Sequence, residues 1–251
     1  MIAGVVLPLF CQAQDAAQLL IHSGNVIKEG VKRHDAQKYD EAIAQYKLVP
    51  RSDTNYALAL SELALTYTVQ KEYDKAIAVA KEGLAMHSDR ELEFFLRLGN
   101  AYDEAKNYQQ ALATFEEGLK KYPYSYQLYY EKGVSLARQE KTAEAVQSFQ
   151  RAIELNFFHA ASHRVLGNLS LQSGNQAQGM LSLLTYLVLD PNSENSRNSI
   201  VYLEEMTTGE GKATVQQVSG PPGPDEFAEI NRIIKSKVAL NEQYAFQTQL
   251  R

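Results

Sequence analysis

Tryptophan is absent from this 251-residue chain, cysteine occurs once, and basic charge is not in excess: 25 Lys and Arg stand against 30 Asp and Glu, a net charge of −5. The acidic balance, with a pI near 5.6, argues against nucleic-acid binding, which shows as a basic stripe. The first lysine is Lys28, so the apolar run Ile2 to Phe10 lacks a preceding basic residue. That run is too short to cross a bilayer as a helix. Catalytic patterns are also missing. Thr208-Gly209-Glu210-Gly211-Lys212 gives half of a phosphate loop, but Met206 stands where the first glycine is needed and Ala213 follows the lysine. No zinc-protease helix or nucleophile elbow occurs. His159 and His163 are four residues apart without a third ligand, and packing is the expected role of both. Asn168-Leu169-Ser170 fits a glycosylation sequon inside an expected helix, which makes it a chance match. No enzyme activity, cofactor or metal is expected.

What the chain does contain is one pattern five times over. A small residue recurs as Gly30, Ala64, Gly99, Gly133 and Gly167, at spacings of 34, 35, 34 and 34. Twelve residues on comes a second small one: Ala42, Ala76, Ala111, Ala145, Gly179. Four further stand Tyr46, Ala80, Phe115, Phe149 and Leu183, and eight beyond that two units carry Pro123 and Pro191. Two small residues let two helices approach closely, a bulky one fills the space beside them, and proline ends the second helix. One such hairpin has too little core to stand alone, so neighbours must share one.

Small, small, aromatic and proline at these offsets resemble the tetratricopeptide repeat. The resemblance covers roughly residues 23 to 193, as units 23–56, 57–91, 92–125, 126–159 and 160–193. The third is the fullest, with Phe95, Leu98, Gly99, Tyr102, Tyr108, Ala111, Phe115 and Pro123; the first is weakest, with Glu29 and Arg33 at positions that normally pack. The implied fold is all-α, a right-handed superhelical solenoid of five helical hairpins, followed by a capping helix over 194–206 with Ile200, Leu203 and Met206 on one face.

The two ends read differently. Residues 1–13 form an expected signal peptide, with Cys11-Gln12-Ala13 as the small-x-small site. Cleavage there leaves no cysteine, which suits an exported, periplasmic or envelope-associated protein that does not rely on disulfides. Lipid attachment at Cys11 is the alternative, opposed by the large Phe10 before it. A turn-rich linker, 207–224, carries Gly220, Pro221, Pro222, Gly223 and Pro224. In the segment 225–251, Phe227, Ile230, Ile234 and Val238 fall at helical spacing; Tyr244, Phe246 and Leu250 then alternate with period two.

The resemblance implies work as a scaffold that holds a protein or peptide in a concave groove, lined by positions 2, 5, 9, 12 and 13 of each unit. Carried over, these give the candidate lining Leu58, Leu65, Val69, Glu93, Asn100, Asp103, Glu104, Gln127, Tyr130, Arg138, Arg164 and Asn168, with Ser61 and Gln172 among the remaining offsets. Two alternatives stay open: a targeting arm of a longer protein with a further C-terminal domain, and a self-associating structural protein in which 225–251 packs on a neighbour.

Overall fold

The computed structural model describes residues 22–208, and eleven α-helices account for most of them. The expected leader, the linker beyond Thr208 and the segment 225–251 lie outside the described residues. Ten helices pair into five hairpins. These are α1 (Ser23–Asp35) with α2 (Tyr39–Tyr46), and α3 (Tyr56–Val69) with α4 (Tyr73–Ala85). Next come α5 (Glu91–Glu104) with α6 (Tyr108–Lys121), and α7 (Tyr126–Arg138) with α8 (Thr142–Leu155). Last are α9 (Ala160–Gln172) with α10 (Gln176–Leu189), and α11 (Glu194–Thr208) follows. No strand occurs among the described residues, and none of their helices is long and apolar enough to cross a membrane.

The turn inside each hairpin is built the same way, and the sequence hides it. Seven residues after the first small residue stand Gln37, Lys71, Lys106, Glu140 and Gly174, with φ of 60, 63, 60, 60 and 84°. Each occupies the left-handed region just past the end of the first helix. Its own N–H bonds three residues back, and the next N–H bonds five residues back: Lys106 to Asp103 O at 2.9 Å and Asn107 to Tyr102 O at 2.8 Å in the third hairpin, Gly174 to Leu171 O at 3.0 Å and Asn175 to Ser170 O at 2.8 Å in the fifth. This is the Schellman end, which satisfies the last carbonyls of a helix and usually employs glycine. Only the fifth hairpin has glycine there.

In four of the hairpins the bulky residue expected to fill the space beside the two small ones sits directly over the first of them. A methyl added to Gly133 would lie 2.9 Å from the Phe149 ring, and one on Gly167 would lie 2.7 Å from Leu183 Cδ2. Gly30 stands likewise under Tyr46, and Gly99 under Phe115. The reason is size: a ring sixteen residues downstream fits only where the facing helix has no side chain. The third hairpin also enters the second, since Phe94 lies on Gly83.

Contacts divide the chain into two compact units at Gly118/Leu119, within α6. The first has a core of Ile27, Tyr46, Leu60, Leu63, Tyr67 and Phe94 with small Ala42, Ala76 and Ala101 between them. Glu29 and Arg33, out of place for packing, pair with one another at 3.0 Å, and Arg33 also pairs with Glu41 of α2. Being partly exposed, these pairs add little stability. In the second unit Leu128, Leu136, Phe149 and Ala152 are buried, and Leu171, Leu183 and Leu203 form a further cluster.

The capping helix α11 runs two residues further than expected, to Thr208, and its buried face is different. Ser196, Ser199 and Leu203 are buried, whereas Ile200 is 43% exposed. The Ser196 hydroxyl donates to Tyr186 OH at 3.2 Å and also to the Asp190 carbonyl, so the start of α11 is held by hydrogen bonds to α10 and the turn after it.

Candidate partner-binding cleft

In the first unit, α3 and α5 carry the expected lining. Leu58 packs partly into the core, Leu65 is half-buried and Val69 is exposed. Glu93 accepts from Arg90 through both oxygens at 3.0 Å. Asn100 is half-buried and Glu104 exposed. Asp103 is only 5% exposed, which removes it from the surface. Ser61 is fully buried and accepts from Arg97 Nε at 3.2 Å, so it ties α3 to α5.

In the second unit, Gln127 accepts from Ser125 Oγ at 3.1 Å beside the helix start, and Arg138 is exposed at the helix end. Tyr130 is a packing residue as much as a surface one. Its ring meets Phe149 edge-on at 5.7 Å and His159 at 4.8 Å. Burial and then the Glu131 charge push its phenol pKa up, with the Arg164 charge acting in the opposite sense. His159 also stacks on Tyr126 at 5.0 Å, and burial, helped by His163, pushes its pKa down. His163 is buried and donates from Nε2 to the Phe157 carbonyl at 2.8 Å. Both histidines are therefore packing groups, and no cluster among the described residues is arranged to hold a metal.

Arg164 and Asn168 come together with Gln172 along one face of α9. Opposite them Asn195, Asn198, Ser199 and Tyr202 of α11 complete an open cleft of about 350 Å³. Arg164 is the one charged group of this lining. Four carboxamides surround it, each able to donate and accept. Such a set matches the alternating N–H and C=O groups of an extended peptide, and the guanidinium fork matches a carboxylate.

A family model described as Tetratricopeptide repeat matches residues 96–160. Among solved structures, TTC0263, a thermophilic TPR protein of Thermus thermophilus, aligns at 20% identity over 72% of this chain and 99% of that one, with a TM-score of 0.63. MamA 41-end from Desulfovibrio magneticus RS-1 aligns at 16% identity over 70% of this chain and 99% of that one, with a TM-score of 0.52. Residues 96–160 thus match the tetratricopeptide repeat, and the described helices share the fold of these TPR structures. At these identities the structural likenesses establish the fold alone. No curated protein matches the sequence.

The tetratricopeptide-repeat offsets found only the α9 wall of the cleft. The α11 wall escaped because helix α11 was read by its apolar residues. Its polar residues carried the signal: Asn195, Asn198, Ser199 and Tyr202 fall at i, i+3, i+4 and i+7 and so share a face. The repeat fold supports a protein-interaction scaffold in general; nothing in it names the partner.

Proposed function

We propose that this protein is a tetratricopeptide-repeat scaffold that holds an extended peptide segment in the cleft between α9 and α11. The observation that carries the reading is the lining itself, a single guanidinium at Arg164 among carboxamides of two helices. Asn168, Gln172, Asn195 and Asn198 hydrogen-bond the peptide main chain, which gives affinity with little sequence demand. Arg164 pairs with a carboxylate, an acidic side chain or a chain terminus, and sets the register. The half-buried Tyr130 stands within reach of the Arg164 charge and offers an aromatic flank.

Selection from a random displayed peptide library, followed by calorimetry on the enriched peptides, tests this. Peptides rich in Asp or Glu are expected, with binding lost on Arg164→Glu and reduced at least tenfold on Asn168→Ala. Equal binding to wild type and Arg164→Glu overturns the cleft as the site. The setting proposed for this work is the cell envelope. It rests on the apolar start and the Cys11-Gln12-Ala13 sequence, and N-terminal sequencing of protein from the envelope fraction tests it, with Gln14 as the expected first residue.

A further inference from the structure

Helix α10 carries an aliphatic outer stripe that α4, α6 and α8 lack. In the repeat register this stripe falls two, five and nine residues after the small residue of the second helix. In α4 those positions hold Ala78, Lys81 and Ala85, in α6 Ala113, Glu116 and Lys120, and in α8 Gln147, Gln150 and Glu154. All of them are exposed except Gln150, which is half-buried. In α10 they hold Leu181, Leu184 and Val188, which are 60, 51 and 81% exposed. Helix α10 is held to its own hairpin by other residues, Gly179, Ser182, Leu183 and Tyr186, all buried. The fold does not need the aliphatic stripe, since alanine and polar or charged residues serve at the same positions of three other helices. No residue of α10 lines the cleft between α9 and α11, so peptide binding does not account for it either. Contiguous exposed aliphatic side chains mark a contact surface.

We propose that the stripe is a contact between two copies of this chain, with α10 of one copy packed antiparallel on α10 of the other about a two-fold axis. Two observations select a second copy. The first is charge. Helix α10 contains no Asp, Glu, Lys or Arg in its 14 residues, whereas α4, α6 and α8 each carry both signs. The chain has a net charge of −5, so two copies repel at a distance, and like charges set face to face would add to that penalty. On α10 two copies meet with nothing on the helix to repel, and the helix offers no charge to attract a partner of either sign. The second observation is spacing. Ala177, Leu181, Leu184 and Val188 fall at i, i+4, i+7 and i+11, the steps of a coiled-coil seam. Steps of four, three and four are the same in both directions along the helix. A two-fold contact requires that, because each residue meets on the second copy what its equivalent there meets on the first. The reversed seam sets Leu181 of one copy opposite Leu184 of the other, twice, at the centre. Val188 then lies opposite Ala177 at each end, so the most exposed side chain of the stripe meets the smallest.

Sedimentation velocity on the full-length chain tests this. The contact is small, so association is expected only towards the upper end of a series that runs to about 1 mM, with a dimer as the largest species. Leu184→Lys and Leu181→Glu, made singly, should each leave a monomer throughout that series. Both positions are at least half exposed, so the fold is spared, which circular dichroism checks. Mixed in equal amounts, the two variants should dimerise again. The introduced lysine then faces the introduced glutamate, while the other central layer remains leucine opposite leucine. Wild-type protein that stays monomeric at every concentration overturns the proposal. Growth past the dimer overturns it too, because a two-fold contact closes. A mixture that stays monomeric overturns the antiparallel arrangement. A dimer that survives Leu184→Lys but is lost on Phe158→Asp also overturns the proposal, and moves the contact to the turn before α9, where Phe157 and Phe158 are exposed.

Discussion

At the scale of single residues, the repeat depends on two kinds of position, and only one of them announces itself by residue type. Gly99 is legible as a small residue, and its reason is the Phe115 ring that lies on it. Gly99→Ala places a methyl inside that ring. The loss from overpacking, about 1–3 kcal/mol, outweighs the gain of about 1 kcal/mol in helix propensity, so the thermal midpoint should fall. Gly24 sits on α1 with nothing within 4 Å of an added methyl, and Gly24→Ala should be neutral or mildly stabilising in the same melt. A drop of equal size in both variants would show that the ring contact is not the cause. The left-handed turn residue is the position that residue type conceals. Lys106 and Glu140 hold φ of 60° in Schellman ends, a conformation that costs a residue with a Cβ about 1–2 kcal/mol. Lys106→Gly should therefore raise stability, by roughly 0.5–1 kcal/mol after the greater entropy of the unfolded glycine is subtracted. Gly174→Ala should lower it by a similar amount. Denaturant midpoints with unchanged slopes check both signs. Four of the five turns could not be read from the sequence, because glutamine, lysine and glutamate carry no mark of positive φ.

At the scale of elements, the sequence specified the hairpins and said less about the surface they make. Five in-phase pairs, four of them small-to-bulky and one Ala64–Ala80, located every helix pair, since a side chain lying on a glycine is a contact between particular atoms. The candidate lining was less legible, because offsets place a residue on a helix face without saying what stands opposite. Thus Asp103 turned inward and Glu93 met Arg90, while the α11 half of the cleft had no counterpart in the offsets. Helix α9 shows how an element end can carry a solution property. Its first turn is preceded by His159, wedged between Tyr126 and Tyr130, with Nδ1 2.7 Å from Ser162 Oγ. Burial holds its pKa below the ordinary value, near 6.5 in an unfolded chain. Between the folded and unfolded values the unfolded chain binds more protons, so stability rises with pH. The contribution is complete above about pH 6.5 and is lost as pH falls from there through the folded value. Melts at pH 7.5 and pH 5 should show a lower midpoint at pH 5, and His159→Gln should shrink the difference. An unchanged difference in the variant would assign the acid sensitivity to carboxylates elsewhere.

At the scale of the whole chain, stability in a repeat protein is close to a sum of repeat terms and nearest-neighbour terms, so it need not be uniform along the sequence. The described helices differ in what holds them. Helix α3 buries Ala57, Ala59, Leu60, Ser61, Leu63, Ala64, Thr66 and Tyr67, which means that it is covered on several sides. Helix α5 is similar, with Phe94, Phe95, Leu98, Gly99, Ala101, Tyr102 and Asp103 buried. Helix α1 buries only Ser23, Ile27 and Gly30, and puts Glu29 and Arg33 into a partly exposed ion pair. Helix α11 buries Ser196, Ser199 and Leu203 and leaves Ile200 and Val201 in water. Local opening follows buried contact rather than helix length. Native-state hydrogen exchange should therefore find the amides of α3 and α5 opening only at the highest free energies, and those of α1 opening well below them. The α1 amides should also respond to salt, because screening weakens the Glu29–Arg33–Glu41 pairs. Uniform protection from α1 through α5 would mean that the first unit unfolds as one cooperative block, and the additive description would then fail for it.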